Sequence, residues 1–279
     1  MSWDRSRATV PRFEFLEQAE STNDVLRDAA AGPEADAWPH GSVVVTDDQT
    51  RGRGRLGRTW LAPTGKTLAI SLLLRPLDAE GHPLPPEALG WIPLLAGAAM
   101  TAAVRRAVET GPPADEGEDA SGGVDVELKW PNDVLISGYK ASGILTELSP
   151  DGTAVVVGAG LNLTLDEHDL PAITATSLLL ATGREPDGDA VLADYLSTLL
   201  AAFDAFAAAG GDAAASGTAD LVAGLCGTIG TEVRVELPGG AILVGTAEAL
   251  DEGGRLIVRD HDTGEPRAVA AGDVTHLRY

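Results

Sequence analysis

The stretch Gly52–Trp60, which reads G-R-G-R-L-G-R-T-W, combines charge and glycine in a way that suits anion binding. With Arg51 before it, four arginines fall within eight residues of a chain whose formal net charge is -22. Arginine presents a permanently charged fork of donors to phosphate or carboxylate oxygens, and glycine permits close backbone approach. We therefore predict a loop that folds over a small anion such as a nucleotide phosphate. A flexible, solvated basic loop is the alternative.

Lysine is scarce in this chain, so the positions that keep it are informative. Of 20 basic residues, only Lys66, Lys129 and Lys140 are lysines. Lys129 opens K-W-P-N-D, a turn signal after a predicted strand, and Lys140 lies in a predicted hairpin between two glycines. A compact ammonium suits a point-charge role between two anionic groups. For Lys140 the alternative is a surface lysine of the hairpin.

The elements that must position these residues can be predicted from the hydrophobic pattern. Ser21, with Asp24 three residues later, has the pattern of a capped helix start, and residues 1–11 are predicted to be a loose arm. The remaining predictions begin with strands at 41–46 and 66–75 and a buried helix that residues 85–86 introduce and that runs to about 109, in which Pro93 indicates a kink or a later start. They continue with a strand at 124–128, a three-strand meander over 134–163 and a helix over 190–209. This order predicts an α+β fold: a catalytic domain over residues 1–222 with a mixed β-sheet backed by helices.

Two segments differ from this pattern. Residues 111–123 contain no apolar residue larger than alanine and are predicted to be a disordered acidic insertion. From Leu225 onwards, short β-rich runs alternate with turns, which is typical of a small barrel of about five strands. We therefore predict a second domain over residues 223–279.

Composition limits the class of protein. The acidic net charge argues against general affinity for nucleic acid or an anionic membrane. Cys226 is the single cysteine, so no intrachain disulfide forms, which fits a reducing compartment. The N-terminus lacks the apolar core of a signal peptide, and the longest apolar runs are too short to span a bilayer. These features predict a cytoplasmic protein.

Together the motifs resemble those of the biotin protein ligases, in that family's order and at about its spacing. The matching segments are G-R-G-R-x-G-R-x-W (52–60), K-W-P-N-D-V (129–134), K-x-x-G-I-L-x-E (140–147), G-x-G-x-N (158–162) and A-T-S-L (175–178). The resemblance covers nearly the whole chain from Phe13. It implies a class II synthetase-like catalytic domain followed by an SH3-like barrel. About 20 residues precede Ser21, so we expect the form without an N-terminal DNA-binding domain, and no DNA binding.

The resemblance implies a two-step reaction. Biotin is joined to the α-phosphate of ATP, giving biotinyl-5′-AMP and pyrophosphate, and the biotinyl group then passes to a lysine of a biotin carboxyl carrier protein. Two anionic groups must meet, so concentrated positive charge and Mg²⁺ are expected. The implied catalytic residues are Lys140, Arg55 and Arg53. Those implied for biotin are Ser21, Thr22, Asn23, Gln49, Arg53, Gly54, Arg55, Lys140 and Gly143. Those implied for the nucleotide are Arg55, Arg58, Trp60, Lys129, Asn132, Lys140 and Asn162.

Several of these assignments have alternatives. Asp133 is the implied Mg²⁺ ligand. The alternative is that its carboxylate caps the turn and has no other role. Trp60 could pack against adenine, and a position in the core is an equally good explanation of this residue. Ser21 can cap a helix while its neighbours bind the ureido group of biotin, whose carbonyl and N–H groups match hydroxyl and amide side chains. The arginine loop is predicted to be mobile without ligand and ordered with biotinyl-AMP.

Two other functions remain open at this stage. One is a ligase or transferase for lipoate or octanoate on the related catalytic fold. The arginine loop and K-W-P-N-D favour biotin over these two substrates. The other is a polyanion-binding module, which would call for aromatic interleaving and a basic field. Aromatic residues make up only 4% and the net charge is -22, so this module is the weakest reading. The sequence leaves open whether the protein is a monomer or a homodimer.

Overall fold

The computed structural model describes residues 2–109 and 124–277, so the predicted insertion at 111–123 lies outside the described residues. The helices are α1 (Asp4–Thr9), α2 (Thr22–Ala31), α3 (Ile92–Glu109), α4 (Leu178–Thr182), α5 (Gly188–Ala208) and α6 (Thr218–Leu225). The strands of the larger part are β1 (Phe13–Phe15), β2 (Val43–Thr46), β3 (Gly52–Arg53), β4 (Thr59–Trp60), β5 (Thr67–Leu74), β6 (Val126–Lys129), β7 (Asp133–Ile136), β8 (Tyr139–Leu148) and β9 (Val155–Asn162). The C-terminal strands are β10 (Glu232–Glu236), β11 (Ile242–Leu250), β12 (Leu256–Asp260), β13 (Pro266–Val269) and β14 (Asp273–His276).

The larger part is built on a seven-stranded sheet of order β1-β2-β5-β9-β8-β7-β6. Strands β1 and β2 run parallel and the other neighbouring pairs antiparallel, so the sheet is mixed, as predicted. β5 is buried at all eight positions because helices cover both of its faces. Leu73 packs with Leu26 of α2, while Leu72 and Leu74 face the main core with α3 and α5.

The apolar segment after Pro85 starts as a 3₁₀ turn, Pro86–Trp91, and becomes α3 at Ile92, so the structure shows the later start and not the kink. The segments Pro86–Glu109 and Gly188–Ala208 are long and apolar enough to cross a membrane by length and composition. Their most apolar windows are 72% and 44% buried inside the protein, and the two helices pack on each other and on the sheet. Their apolar character is therefore explained by the core.

The predicted loose arm over residues 1–11 is wrong for Asp4–Thr9, which forms α1. Asp189 accepts hydrogen bonds from Ser6 Oγ at 2.6 Å and from the backbone N–H groups of Arg5 and Ser6 at 3.0 and 2.9 Å. N–H groups in the first turn of a helix have no partner within it, so this carboxylate stabilises the helix start. The contact joins residues more than 180 positions apart, which local sequence patterns do not reveal.

We expect Asp189→Ala to lower the free energy of unfolding by about 1–3 kcal/mol at pH 7, because buried donors lose their acceptor. Burial by itself raises the pKa of Asp189, but hydrogen bonds from Ser6 and from the Arg5 N–H outweigh it and hold the pKa below its usual value. A depressed pKa stabilises the fold while the carboxylate is ionised, above about pH 4, and this contribution fades at lower pH. Urea unfolding at pH 7 and pH 3 measures the difference, and an equal loss at both pH values would contradict it.

The C-terminal strands form a five-stranded antiparallel sheet of order β13-β12-β11-β10-β14, in agreement with the predicted SH3-like barrel. The boundary between residues 222 and 223 stays a prediction. Trp130 joins the two parts: its backbone N–H donates to Thr228 Oγ1 at 3.0 Å and its indole N–H to the Gly254 carbonyl at 3.1 Å. Because Trp130 belongs to K-W-P-N-D, the C-terminal sheet lies directly beside a predicted site segment.

Candidate active site

A cleft of about 970 Å³, including space open to solvent, lies where the predicted site segments meet. Every residue predicted for the site except Asn162 lines it: Ser21, Thr22, Asn23, Gln49, Arg53, Gly54, Arg55, Arg58, Trp60, Lys129, Asn132, Asp133, Lys140 and Gly143. Segments far apart in the chain therefore converge on one place.

The floor of the cleft contains glycines on which other side chains lie directly. Gly158 and Gly160 are two residues apart on β9, so both face the same side of the sheet. A Cβ at Gly160 would overlap the indole of Trp60, and a Cβ at Gly158 would overlap the Asn23 amide. The G-x-G motif thus allows Trp60 and Asn23 to approach the backbone of β9.

We expect Gly160→Ala to displace Trp60 and loosen the arginine loop that precedes it. Forcing an extra methyl into a packed contact costs about 1–3 kcal/mol, which corresponds to about five- to 150-fold in the population of the open loop. The rate of trypsin cleavage between Arg51 and Arg58 should rise by that factor. Gly224→Ala is the matched control, because no described atom lies within 4 Å of its Cβ position. Equal cleavage of both variants would show that Trp60 does not hold the loop.

Lys140 and Gly143 face the same side of β8 although they are three residues apart. In the pairing with β7, Val134 lies opposite Ser142 but Leu135 lies opposite Lys140, so Ala141 is an extra residue. A β-bulge of this kind shifts the alternation of side chains by one position. A Cβ on Gly143 would accordingly lie 3.1 Å from Lys140 Nζ. The K-x-x-G spacing thus matches a bulged strand, whereas a regular strand would separate the two residues.

The surroundings of Lys140 fix both its backbone and its ammonium group. Its backbone accepts from the N–H of Thr176 at 2.9 Å and donates to the Thr174 carbonyl at 2.8 Å, so A-T-S-L supports the strand from outside. Its Nζ lies 2.6 Å from Asp133 Oδ1 and 5.8 Å from the centroid of the Trp60 ring. The lysine is therefore held at the cleft by a carboxylate and an aromatic ring.

The arginine loop is a short hairpin in which β3 pairs with β4. Arg53 donates to both carboxylate oxygens of Asp24, at 2.5 and 2.8 Å, and to Glu147 at 3.0 Å. The hydrogen bond from Arg53 lowers the pKa of Asp24, and the bond to Asp24 raises the pKa of Arg53. Arg58 forms an ion pair with Asp273 of β14. The two ends of the loop are thus attached to different parts of the protein.

Arg55, in the middle of the loop, has different surroundings. It is half-buried, and its Nη1 donates to Asn132 Oδ1 at 2.9 Å. Burial lowers its pKa, although nearby carboxylates of Asp133 and Asp273 act in the opposite direction. Within the described ranges no carboxylate lies within ion-pair distance of Arg55. A half-buried guanidinium without a direct counter-ion attracts an anion strongly.

The S-T-N segment lies at the start of α2, and its role toward biotin stays a prediction. Ser21 is the N-cap of α2, and its hydroxyl accepts from the N–H of Asp24 at 3.4 Å, which confirms the cap. Thr22 donates its N–H to Gln49 Oε1 at 2.9 Å, and Asn23 Nδ2 donates to Glu147 Oε2 at 2.7 Å. All three S-T-N residues also line the cleft, so their hydrogen bonds present polar groups in fixed positions.

Sequence reasoning missed several residues of the cleft. Asp273 lines the cleft but has no local signal in the sequence, because it comes from the C-terminal sheet. Glu147, the last residue of K-x-x-G-I-L-x-E, does not line the cleft but pairs with Arg53 of the arginine loop. The apolar lining by Ile70, Ile144 and Leu145 follows from the strand pattern. Asn162 lies at the end of β9, and its Nδ2 donates to the Thr176 carbonyl at 2.8 Å. Its role toward a nucleotide stays a prediction.

The donor set does not fit a resident metal ion. The carboxylates of Asp24, Glu147, Asp133 and Asp273 each form an ion pair with an arginine or lysine. In the part of the chain that the structure describes, the group of three possible ligands is Asp78, Glu80 and His82, which do not line the cleft. Mg²⁺ is usually held by substrate phosphates and one or two carboxylates. The assignment of Asp133 as a metal ligand therefore stays a prediction.

Comparisons with known proteins agree with this geometry. Residues 15–162 match the biotin/lipoate A/B protein ligase family, and residues 228–277 match the biotin protein ligase C terminal domain. The chain is similar to the biotin–[acetyl-CoA-carboxylase] ligase of Mycobacterium tuberculosis (strain ATCC 25618 / H37Rv), at 37% identity over 268 residues, or 96% of this chain and 90% of the relative.

Solved structures show the same likeness. A biotin protein ligase from Aquifex aeolicus in complex with biotin and ATP has a TM-score of 0.71 and 25% identity, covering 96% of this chain and 100% of the other. A biotin protein ligase from Leishmania major in complex with biotinyl-5-AMP has a TM-score of 0.59 and 26% identity, covering 96% and 99%. With both sequence segments and the whole fold in agreement, this chain belongs to the biotin/lipoate A/B protein ligase family.

Proposed function

We propose that this chain is a biotin–carrier-protein ligase, which makes biotinyl-5′-AMP from biotin and ATP and transfers the biotinyl group to a lysine of a biotin carboxyl carrier protein. The observation that carries the proposal is the convergence of Lys140, Arg55 and the S-T-N segment on one cleft. The similarity to a named biotin ligase over 96% of the chain supports the same activity.

The first step requires a carboxylate to approach a triphosphate, and Lys140 and Arg55 supply the positive charge for it. The biotin carboxylate attacks the α-phosphorus, a P–O–C linkage forms, and the bond to the β-phosphate breaks as pyrophosphate leaves. One favourable charge contact is worth about 4 kcal/mol at an effective dielectric near 20. We assign Lys140 to the space between carboxylate and α-phosphate, because a small ammonium can contact both.

The polar side of the cleft suits the ureido ring of biotin. Thr22, Asn23 and Gln49 offer hydroxyl and amide groups that can pair with its carbonyl and N–H groups. Ser71 Oγ lies 2.6 Å from Asn23 Oδ1 and so fixes the orientation of this amide. We expect a rigid site for the ureido group, in which Gly158 lies beneath Asn23. The apolar lining residues Ile70, Ile144 and Leu145 would then contact the rest of the ligand.

The arginine loop suits the protection of a reactive acyl phosphate from water. It covers the cleft from one side, with Arg53 attached to α2 and β8 and Arg58 attached to β14. Water exclusion preserves an intermediate that would otherwise hydrolyse. In the second step the acceptor amine attacks the biotinyl carbonyl and AMP leaves. Mg²⁺ enters as part of the MgATP substrate; the oligomeric state and a cytoplasmic location stay predictions.

A ligase or transferase for lipoate or octanoate is the second enzyme reading on this fold. The matched family includes both biotin and lipoate enzymes, but the C-terminal match is to biotin protein ligases. The test is pyrophosphate release from MgATP with biotin, lipoate or octanoate offered singly, beside a tube that also contains a biotin carrier domain. Biotin-dependent release with labelling of the carrier supports the proposal. Release with lipoate or octanoate alone, or none with any acid, would contradict it.

A further inference from the structure

Asp273, the first residue of β14, is an acidic residue of the C-terminal sheet that lines the cleft. It pairs with Arg58 of the arginine loop, 215 positions away in the chain. Its backbone position is fixed, because β14 pairs with β10 and places Asp273 opposite Glu236. The C-terminal sheet thus contributes a side chain to a site that otherwise belongs to the catalytic part.

The charges around Asp273 are mostly positive. The hydrogen bond from Arg58 is the main cause that lowers the pKa of Asp273, and the charges of Lys129 and Arg55 act in the same direction. One carboxylate therefore faces three cations. All three were predicted to contact the nucleotide, and all three line the cleft.

The ion pair between Asp273 and Arg58 is exposed, so Arg58 can readily exchange this carboxylate for another anion. The side chains of Arg58 and Asp273 are 62% and 44% exposed, and exposed ion pairs stabilise a protein little. Arg53, in contrast, is held by two carboxylates, those of Asp24 and Glu147. A triphosphate carries more charge and more acceptor oxygens than a single carboxylate, so it competes well for an arginine that has one exposed partner.

We propose that Asp273 is a positioning residue that holds Arg58 at the nucleotide end of the cleft and releases it to the phosphates when the nucleotide binds. The proposal rests on the proposed function, because it takes the nucleotide to be the anion that enters. Two consequences follow. Asp273 competes with the nucleotide for Arg58, so its charge weakens nucleotide binding. Biotin binds at the S-T-N end and should be unaffected.

The test uses the full chain and Asp273→Asn, which removes the charge and keeps the shape of the side chain. Calorimetry measures the Kd of α,β-methylene-ATP, whose α,β bridge cannot be cleaved, and separately the Kd of biotin. We expect Asp273→Asn to bind the nucleotide about two- to fivefold more tightly, in the range of an exposed charge pair, with biotin binding unchanged. Glu248→Gln is the matched control, because Glu248 pairs with Arg259 in the same C-terminal sheet outside the cleft.

A double-mutant cycle separates this exchange from a general structural effect. In an Arg58→Gln background, Asp273→Asn should tighten nucleotide binding clearly less than it does in the wild type, because the arginine that pairs directly with Asp273 is absent. An unchanged or weaker nucleotide affinity in Asp273→Asn, or the same gain with and without Arg58, would overturn the proposal. Wild-type pyrophosphate release with biotin is measured in parallel, so that a failure of the ligase activity is seen independently of the Asp273 result.

Discussion

Lys140→Ala is expected to lower biotin-dependent pyrophosphate release by about three orders of magnitude. The lysine is assigned to the contact between two anions, and one such charge contact is worth about 4 kcal/mol, or about a thousandfold in rate. Its backbone stays in place because A-T-S-L and the bulged strand hold it, so the effect belongs to the ammonium group. The measurement is kcat for pyrophosphate release at saturating biotin and ATP.

Lys66→Ala provides the matched control for Lys140, in a chain that has only three lysines. Lys66 pairs with Asp166 and Asp169 and does not line the cleft. We expect its removal to leave kcat within about twofold, as is usual for an exposed pair. A Lys140→Ala variant that retained more than a tenth of wild-type kcat would contradict the role assigned to this lysine.

Arg55→Ala is expected to lower kcat/KM for ATP by about two orders of magnitude. Arg55 is the half-buried guanidinium of the loop, donates to Asn132, and has no carboxylate at ion-pair distance among the described residues. Its charge is therefore available to the phosphate, and loss of one such donor in a site typically costs about 10²–10³-fold. Arg55→Lys should recover part of the loss, because it restores charge but not the planar fork.

The control for Arg55 comes from the same loop. Arg51 pairs with Glu20, its side chain is 75% exposed, and it is not part of the cleft. Arg51→Ala should therefore change kcat/KM for ATP by less than about twofold. If Arg51→Ala and Arg55→Ala lost the same activity, the loop would act through its overall charge. The role assigned to the position of Arg55 would then be contradicted.

The amino-acid sequence was sufficient to predict the residue types that we propose for the chemistry and the strands and turns that contain them. The arginine-glycine hairpin, K-W-P-N-D and G-x-G-x-N are local patterns, because turn chemistry and strand alternation act over a few residues. For the same reason the N-cap at Ser21 could be predicted, and a kink or a later start of α3 at Pro93 was expected. The site residues were predicted from the resemblance of these motifs to a known family, and all but one of them line one cleft.

Only the tertiary structure decided how these residues are paired. The extra residue Ala141 follows from the register between β7 and β8, which no local pattern specifies. The carboxylates that hold Arg53 and Arg58, and the one that holds α1, lie far away in the chain. Ion pairs and buried hydrogen bonds of this kind depend on distances between folded elements. The fold therefore determines that Arg55, among the four arginines of the loop, has no carboxylate at ion-pair distance within the described residues, and this is why we expect the anion to bind there.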